Sequence, residues 1–211
     1  AALAQSRFSA MPALVAACGT LLINSEEEVW TQMIRKGMIS SDAKILAWFI
    51  SRNTKCTMLN MSTNRIEDEG AAALGRALAS NSTLKVLNLW RNKIGPKGAT
   101  ALARGIAANK KGLRTLIIGE NKLGDEGATA IAHALNSNLS MQKLVLTSCD
   151  IGDAGGKAIA EMLTTNKTVN RLRLASNKFG PETIKALGLA LASNSTLQFL
   201  RIAGSRIRIG L

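Results

Sequence analysis

Basic side chains recur at a fixed interval in the second half of this 211-residue chain. Lys143 lies 28 residues before Arg171, and Arg173 lies 28 residues before Arg201. Ammonium and guanidinium groups bind carboxylates and phosphates through charge-assisted hydrogen bonds, so a group of them suits the recognition of an acidic ligand. The chain carries a formal charge of +13, from 27 Lys and Arg against 14 Asp and Glu. The sequence therefore favours an acidic partner if the fold brings these cations together.

Residues suited to catalysis or metal binding are few and scattered. The single histidine, His133, has no Ser-His-Asp or Cys-His arrangement to serve, and the three cysteines, Cys18, Cys56 and Cys149, form no C-x-x-C pair. We expect His133 to face solvent on a helix, and Cys56 and Cys149 to be buried apolar residues. The sequence thus predicts a protein that is not an enzyme and that takes no cofactor, no metal and no small-molecule substrate.

The cysteine usage and the short apolar runs also bear on the compartment. An odd number of cysteines implies no disulfide framework and favours an intracellular location, cytoplasmic rather than organellar. The apolar stretches are far shorter than the ~18 residues that a membrane-spanning helix needs, so we expect no membrane insertion.

A repeat of 28 to 29 residues organises the positions of the cations. Six units follow the pattern L-x-x-L-x-L-x-x-N-x-L, and they begin at Cys56, Leu84, Leu113, Met141, Val169 and Leu197. The second half of a unit is predicted to be helical, because apolar residues such as Leu74 and Leu78 are spaced i, i+4. An asparagine follows each helical segment, and we expect it to adopt the left-handed turn that ends a helix. These asparagines are Asn81, Asn109, Asn138, Asn166 and Asn194.

The pattern resembles the leucine-rich repeats of the ribonuclease inhibitor type, which occur also in NOD-like receptors, in Ran GTPase-activating protein and, more loosely, in tropomodulin. The resemblance implies an α/β fold: a right-handed solenoid in the shape of a horseshoe arc, with a parallel sheet on the concave side and helices on the convex side. It also implies that the asparagine of the pattern bonds backbone groups in the bend after each strand. Cys149 replaces this asparagine in one unit, and Ser205 departs from it in the last.

Two regions are expected along the chain. Residues 1–54 are predicted to be an N-terminal helical cap and degenerate repeat, and residues 55–211 to be six leucine-rich repeats, the last incomplete. The segment 28–39 is either a degenerate strand or part of a helix opened by a capping box at 25–28. The Ala-rich opening is either a helix or the end of an organellar targeting segment. The sequence ends after a strand without its helix, so either the natural protein continues or a partner covers that end.

The repeat register places most of the excess charge on the sheet face and its rim. Positions that point away from the core, together with the residue after the bend asparagine, hold twelve bases and two acids. Lys143 and Arg171 should be neighbours on adjacent strands, and so should Arg173 and Arg201, although like charges placed directly opposite are mildly destabilising. The bases of the face are Lys85, Arg91, Arg114, Lys143, Arg171, Arg173 and Arg201, and those of the rim are Arg65, Lys93, Lys122, Lys178 and Arg206, against Glu120 and Asp150.

The N-terminal half of the same face is predicted to be apolar. It holds Met58, Val86, Trp90, Ile117 and Val145, and Phe199 follows near the end. An exposed Trp90 beside Arg91 would serve as an interaction anchor. The predicted partner-binding residues are therefore Lys85, Trp90, Arg91, Arg114, Lys143, Arg171, Arg173, Phe199 and Arg201.

Together these features predict a non-enzymatic interaction module or scaffold, a subunit of a larger assembly, that binds an acidic protein surface. One alternative is an accessory RNA-contacting subunit of a ribonucleoprotein, although the chain has no Tyr and only 3% aromatic residues for base stacking. Another alternative, regulation of a GTPase or of actin, rests on fold analogy alone.

Overall fold

The computed structural model describes residues 29–30, 33–202 and 207–208, with side chains for 33–202. Short strands alternate with helices along this part of the chain. The helices are α1 Ser40–Ile50, α2 Asp68–Ser80, α3 Pro96–Ala108, α4 Gly124–Ser137, α5 Asp153–Thr165 and α6 Pro181–Ser193. The strands are β1 Val29–Trp30, β2 Met58–Asn60, β3 Val86–Asn88, β4 Thr115–Ile117, β5 Lys143–Val145, β6 Arg171–Arg173, β7 Phe199–Arg201 and β8 Ile207–Arg208.

The strands form one sheet in chain order, which confirms the predicted repeat architecture. Strands β1 to β7 pair in parallel, each with the next strand along the chain. The central residue of each strand from β2 to β7 is a fully buried leucine that lies in register with the leucine of its neighbour. These leucines are Leu59, Leu87, Leu116, Leu144, Leu172 and Leu200. Because side chains alternate along a strand, the residues on either side of each leucine lie on the opposite, outer face.

Each helix packs against the next along the chain and covers the other side of the leucine core. Helices α2 and α3 approach each other closely at two glycines. A Cβ at Gly105 would overlap the backbone of Gly75, and a Cβ at Gly75 would overlap the carbonyl of Ala101. Contacts between neighbouring coils alone, repeated along the chain, define a solenoid. The concave side of the solenoid is the sheet and the convex side is the helices.

Bend asparagines bond backbone groups of the bend, as the resemblance implies, and they also link successive coils. The Asn121 Nδ2 donates to the carbonyls of Leu89 at 3.0 Å and Ile118 at 2.8 Å, and its Oδ1 accepts from the Ile94 N–H at 3.0 Å. Equivalent bonds are made by Asn64, Asn92 and Asn177. Cys149 keeps part of this pattern, because its Sγ lies 3.6 Å from the Ile118 carbonyl oxygen.

The prediction of left-handed turns at the helix-ending asparagines is wrong. Asn81 has φ −92° and ψ 118°, an extended conformation, and the other four also have negative φ. This conformation turns the buried side chain toward the preceding coil: Asn81 Nδ2 donates to the Ile50 carbonyl at 2.7 Å, and Oδ1 accepts from the Leu84 N–H at 2.7 Å. The asparagines are therefore a second inter-coil ladder, which satisfies buried backbone groups on both sides.

The two ends depart from the regular coil. Strand β1 lies within the segment 28–39 and pairs with β2, which agrees with the degenerate-strand alternative for that segment. Strand β8 pairs antiparallel with β7, so Ile207 lies in a returning strand rather than in the bend that the repeat pattern predicts. The predictions on Cys18, on the segments before residue 29, and on Ser205 and Arg206 lie outside the described residues.

Candidate protein-interaction surface

The register of β5, β6 and β7 brings four cations together on the outer face of the sheet. Lys143 is the register partner of Arg171, and Arg173 is the register partner of Arg201, as the repeat alignment predicts. Adjacent strands lie about 4.8 Å apart, and residues two apart on a strand are separated by about 6.6 Å. We call Lys143, Arg171, Arg173 and Arg201 the cationic cluster.

No acid in the described part of the chain forms an ion pair with the cationic cluster. The pKa of Lys143 is lowered by partial burial and by the charges of Arg173 and Arg171. A lowered pKa means that the protein disfavours the charged form of this ammonium. The cluster therefore holds uncompensated positive charge against mutual repulsion.

Two arginines of the cluster have specific surroundings. The Arg173 guanidinium carbon lies 5.6 Å from the centroid of the Phe199 ring, within the range of a cation–π contact. Arg201 is half-buried, and its Nε is fully buried without a hydrogen-bond partner among the residues that the structure describes. Because a buried donor without an acceptor is costly, the Arg201 Nε is a group that a bound anion would stabilise. Neither feature is readable from the repeat pattern, which gives register but not side-chain contacts.

The predicted rim cations are exposed on the loops that follow the bends. Arg65, Lys93, Lys122 and Lys178 all face solvent. The Lys178 Nζ lies 3.4 Å from the Asp150 Oδ1, so one of the four is locally paired. The rim adds positive potential beside the cluster but has no strand register to fix its geometry.

The remaining basic residues of the predicted site lie apart from the cluster, on the coils of β3 and β4. The Lys85 Nζ donates to the Ser82 carbonyl of its own loop at 2.6 Å. Exposed Arg91 lies 3.7 Å from the Glu120 carboxylate, so its charge is partly compensated. Arg114 is exposed just before β4. The structure therefore divides the predicted site into one dense group and several separate cations.

The expected apolar half of the face is less exposed than the sequence suggests. Trp90 is half-buried, because its ring packs over Gly119, where a Cβ would overlap it. Val145 is only 3% exposed, since the register places it between Ile117 and the long side chain of Arg173. Trp90 is thus half-buried, like Met58, Val86 and Ile117, rather than fully exposed, and Val145 adds no open apolar surface. A partner-binding role for Trp90 stays a prediction.

Groups that could do proton or metal chemistry do not gather in the described part of the chain. His133 is exposed, and Cys56 and Cys149 are buried, as predicted. Burial raises the pKa of the Cys149 thiol to about 12, so the thiolate nucleophile is absent at neutral pH. Across residues 33–202 no three His, Cys, Asp or Glu side chains are grouped as metal ligands would be. Nor does any described helix have the length and apolar character to cross a membrane.

A parallel α/β solenoid with an open sheet face defines a class of repeat protein. A family model described as Leucine Rich repeat matches residues 52–75, 80–103, 112–132, 137–160 and 165–188. The chain therefore belongs to the leucine-rich repeat family, whose repeats indicate a protein-interaction module.

Two solved structures share the fold. The tropomodulin C-terminal domain of Caenorhabditis elegans is 16% identical, with a TM-score of 0.59 over 74% of this chain and 92% of that one. The leiomodin-1 structure described as actin-binding site 2 is 20% identical, with a TM-score of 0.51 over 76% of this chain and 78% of that one. At these identities the likeness concerns the fold alone. No curated protein sequence matches the chain significantly.

Proposed function

We propose that this chain is a non-enzymatic interaction module that binds an acidic surface of a partner protein through the cationic cluster. The observation that supports the proposal is the register of Lys143 with Arg171 and of Arg173 with Arg201, without a described acid to pair with them. Four cations at strand spacing repel one another, and an acidic partner would remove that repulsion on binding.

The sheet is suited to hold such a cluster in place. Each strand that carries a residue of the cationic cluster is anchored in the core by a fully buried leucine, Leu144, Leu172 or Leu200. Backbone positions that are fixed before binding reduce the entropy cost of binding, so modest contacts can add up to useful affinity. Half-buried Phe199, in the same row as Lys143 and Arg171, adds apolar surface beside the cations for the same partner.

RNA is the competing acidic ligand, and the structure gives it less support. Sequence-tolerant binding of single strands uses exposed aromatic rings on which bases stack. The Trp90 ring packs over Gly119, and Arg173 lies over Phe199, so neither ring is a free stacking platform. Contact with phosphates alone remains as the RNA alternative.

Actin is a candidate partner only because the leiomodin-1 structure that shares this fold is an actin-binding site. The shared fold does not transfer that partner to this chain. Purified actin is nevertheless a defined protein that a binding experiment can include.

The test is capture of partners from a native lysate, with and without nuclease, by three forms of the chain. The wild type is compared with Arg171→Glu/Arg173→Glu and with the control Arg76→Glu/Arg104→Glu, which reverses two exposed arginines on the helix side. We expect the wild type and the control to retain the same nuclease-resistant protein, and the cluster variant to lose it. Equal capture by all three forms contradicts the proposal, and capture that nuclease abolishes favours RNA.

Salt separates the two ligand classes further. If the ligand is RNA bound through several phosphates, the logarithm of the binding constant should fall linearly and steeply with the logarithm of the salt concentration. A mixed charged and apolar protein interface should weaken less, because only its electrostatic part is screened. The measurement is the dissociation constant of the captured partner, and of purified actin, over a salt series.

A further inference from the structure

We propose that the cationic cluster is a seat for a phosphoryl group, and that its ligand is a phosphorylated segment of the partner protein. This inference rests on the proposed function, because it specifies the chemistry of the acidic surface that the cluster binds. It concerns Arg173, Arg201, Lys143 and Arg171, with Phe199 beside them.

The first argument is the arrangement of the donors. The four cations occupy two rows, Lys143 with Arg171 and Arg173 with Arg201, about 6.6 Å apart along β6. A phosphoryl group has three terminal oxygens that diverge, so it can accept from side chains of more than one row. A carboxylate is planar and is matched by the fork of a single arginine. Donors that approach from two rows therefore fit a tetrahedral anion better than a planar one.

The second argument is the state of Arg201. Its Nε is buried and has no acceptor in the described protein, although a guanidinium presents its donors as a fixed fork. Among the residues whose side chains the structure describes, Arg173 in the same row and Phe199 on its own strand lie next to Arg201, and neither offers an acceptor side chain. An oxygen that reaches this Nε would satisfy a donor that folding leaves unpaired.

The third argument is the amount of charge. Glu or Asp brings one negative charge to the cluster, whereas a phosphorylated side chain brings about 1.5 to 2 at neutral pH. The cluster has four cations and no described acid paired with them, and the pKa of Lys143 is lowered by partial burial and by the charges of Arg173 and Arg171. A dianion therefore relieves more of the repulsion than a single carboxylate does.

A protein segment fits the surroundings better than a nucleic acid does. The Phe199 ring lies in the same row as Lys143 and Arg171, at the edge of the cluster, where it can contact an apolar residue next to the phosphorylated one. On strands β2 to β7 and the bends that follow them, within residues 33–202, Trp90 packs over Gly119 and Arg173 lies over Phe199, so neither ring is free for a row of bases to stack on. One phosphoryl group with an apolar neighbour matches this surface, and a continuous chain of phosphates does not.

The experiment measures binding of the chain to degenerate peptide libraries with one fixed central residue. The fixed residue is phosphoserine, serine or glutamate, and a single-stranded RNA oligonucleotide is the nucleic-acid probe. The proteins are the wild type, Arg201→Gln, Arg201→Lys, Arg171→Glu/Arg173→Glu and the control Arg104→Gln, in which the substituted side chain is exposed on α3. A thermal melt of each variant checks that it folds.

We expect the wild type and Arg104→Gln to bind the phosphoserine library about tenfold more tightly than the glutamate library, and the serine library least. Arg201→Gln should lose about tenfold on phosphoserine. Arg201→Lys should fail to restore the affinity, because an ammonium keeps the charge but lacks the buried Nε–H.

The outcomes separate this inference from the proposed function. Equal binding of the glutamate and phosphoserine libraries, with loss of both in Arg171→Glu/Arg173→Glu, overturns the phosphoryl seat and leaves the acidic-partner proposal standing. Equal binding of all three libraries, or full recovery by Arg201→Lys, also overturns the seat. RNA that binds more tightly than the phosphoserine library and competes with it overturns both.

Discussion

The two halves of the sheet share a backbone and a core but differ on the outer face. In β2 to β4 the outer residues are uncharged, for example Val86 and Ile117. In β5 to β7 they are mostly cations, although the same row of buried leucines continues beneath them. Because side chains alternate across a strand, the inner residue can be constant while the outer one varies. The comparison teaches that the residue that builds the core and the residues that set the charge of the outer face occupy different positions of the same three-residue strands.

The first prediction tests whether the core is equivalent in the two halves, and it has the largest effect. Leu87→Ala in β3 and Leu172→Ala in β6 each remove a fully buried leucine. We expect each to lower the free energy of unfolding by about 2 to 5 kcal/mol, because a cavity forms in a core that cannot collapse around it. Urea denaturation monitored by circular dichroism measures both.

A much smaller loss in one half would contradict the equivalence. It would show that the core beneath the cationic cluster is looser than the core beneath the uncharged strands. Ala79→Ser, at an exposed position on α2, is a suitable control that should change stability little.

The second prediction compares the bends after β4 and β5, where Asn121 and Cys149 occupy equivalent positions. Asn121→Ala leaves the Ile94 N–H and the Leu89 and Ile118 carbonyls without their side-chain partner. We expect a loss of about 1 to 3 kcal/mol in the free energy of unfolding, because buried polar groups then lack hydrogen bonds. Asn121→Cys should lose less, since the Cys149 Sγ shows that a thiol can still reach the carbonyl of the preceding coil.

The same denaturation experiment ranks the two substitutions. If Asn121→Cys costs as much as Asn121→Ala, then the Cys149 contact contributes nothing to the bend. The two halves would then also differ in the bend after β5, which would be less stable than the bend after β4.

The periodic features of the fold could be predicted from the sequence, because the same residue types recur at the same positions of each repeat. The parallel register, the buried cysteines and the pairing of Lys143 with Arg171 all follow from the spacing of Leu residues. Five repeats with the same residue at the same position leave little choice of alignment. The same argument placed the cations of the cluster on neighbouring strands.

Contacts between coils could not be predicted in the same way. Residue propensity predicts a local turn at Asn81, yet the side-chain amide of Asn81 bonds the preceding coil. Propensity describes a residue's own backbone and not its neighbour across the solenoid. Asp125 lies in the first turn of its own helix, yet its Oδ1 accepts from the N–H groups of Gly152 and Gly155 in the next coil. The burial of Trp90 depends on Gly119 in the next coil in the same way.

The third prediction concerns the repulsion within the cationic cluster and has the smallest effect. Lys143→Gln removes one of the like charges while keeping a side chain of moderate length on β5. We expect the free energy of unfolding to rise by about 0.5 kcal/mol at low salt and neutral pH, the scale of like charges placed opposite one another in a sheet. The gain should shrink as salt is added, because the charges are partly exposed and therefore screened.

The pH dependence of this gain has a definite sign. The pKa of Lys143 in the folded protein is below its ordinary value of 10.5, through burial and the charges of Arg173 and Arg171. Below the folded pKa the lysine is charged in both the folded and the unfolded states, so the full repulsion destabilises the wild type. As the pH rises through the folded pKa, the folded protein releases the proton first and the repulsion fades. The advantage of Lys143→Gln over the wild type should therefore be largest near neutral pH and should decline toward pH 10.5.

The matched control is Lys97→Gln, which removes an exposed lysine on α3, away from the sheet face. It should change stability little at any of these pH values. Denaturation of the three proteins at low and high salt over this pH range makes the comparison. If Lys143→Gln lowers the free energy of unfolding at neutral pH and low salt, then the interactions of the charged lysine in the folded protein are favourable on balance rather than repulsive. The positive charge of the cationic cluster would then be balanced by its surroundings. The two halves of the sheet would differ in the residues on the outer face but not in electrostatic repulsion.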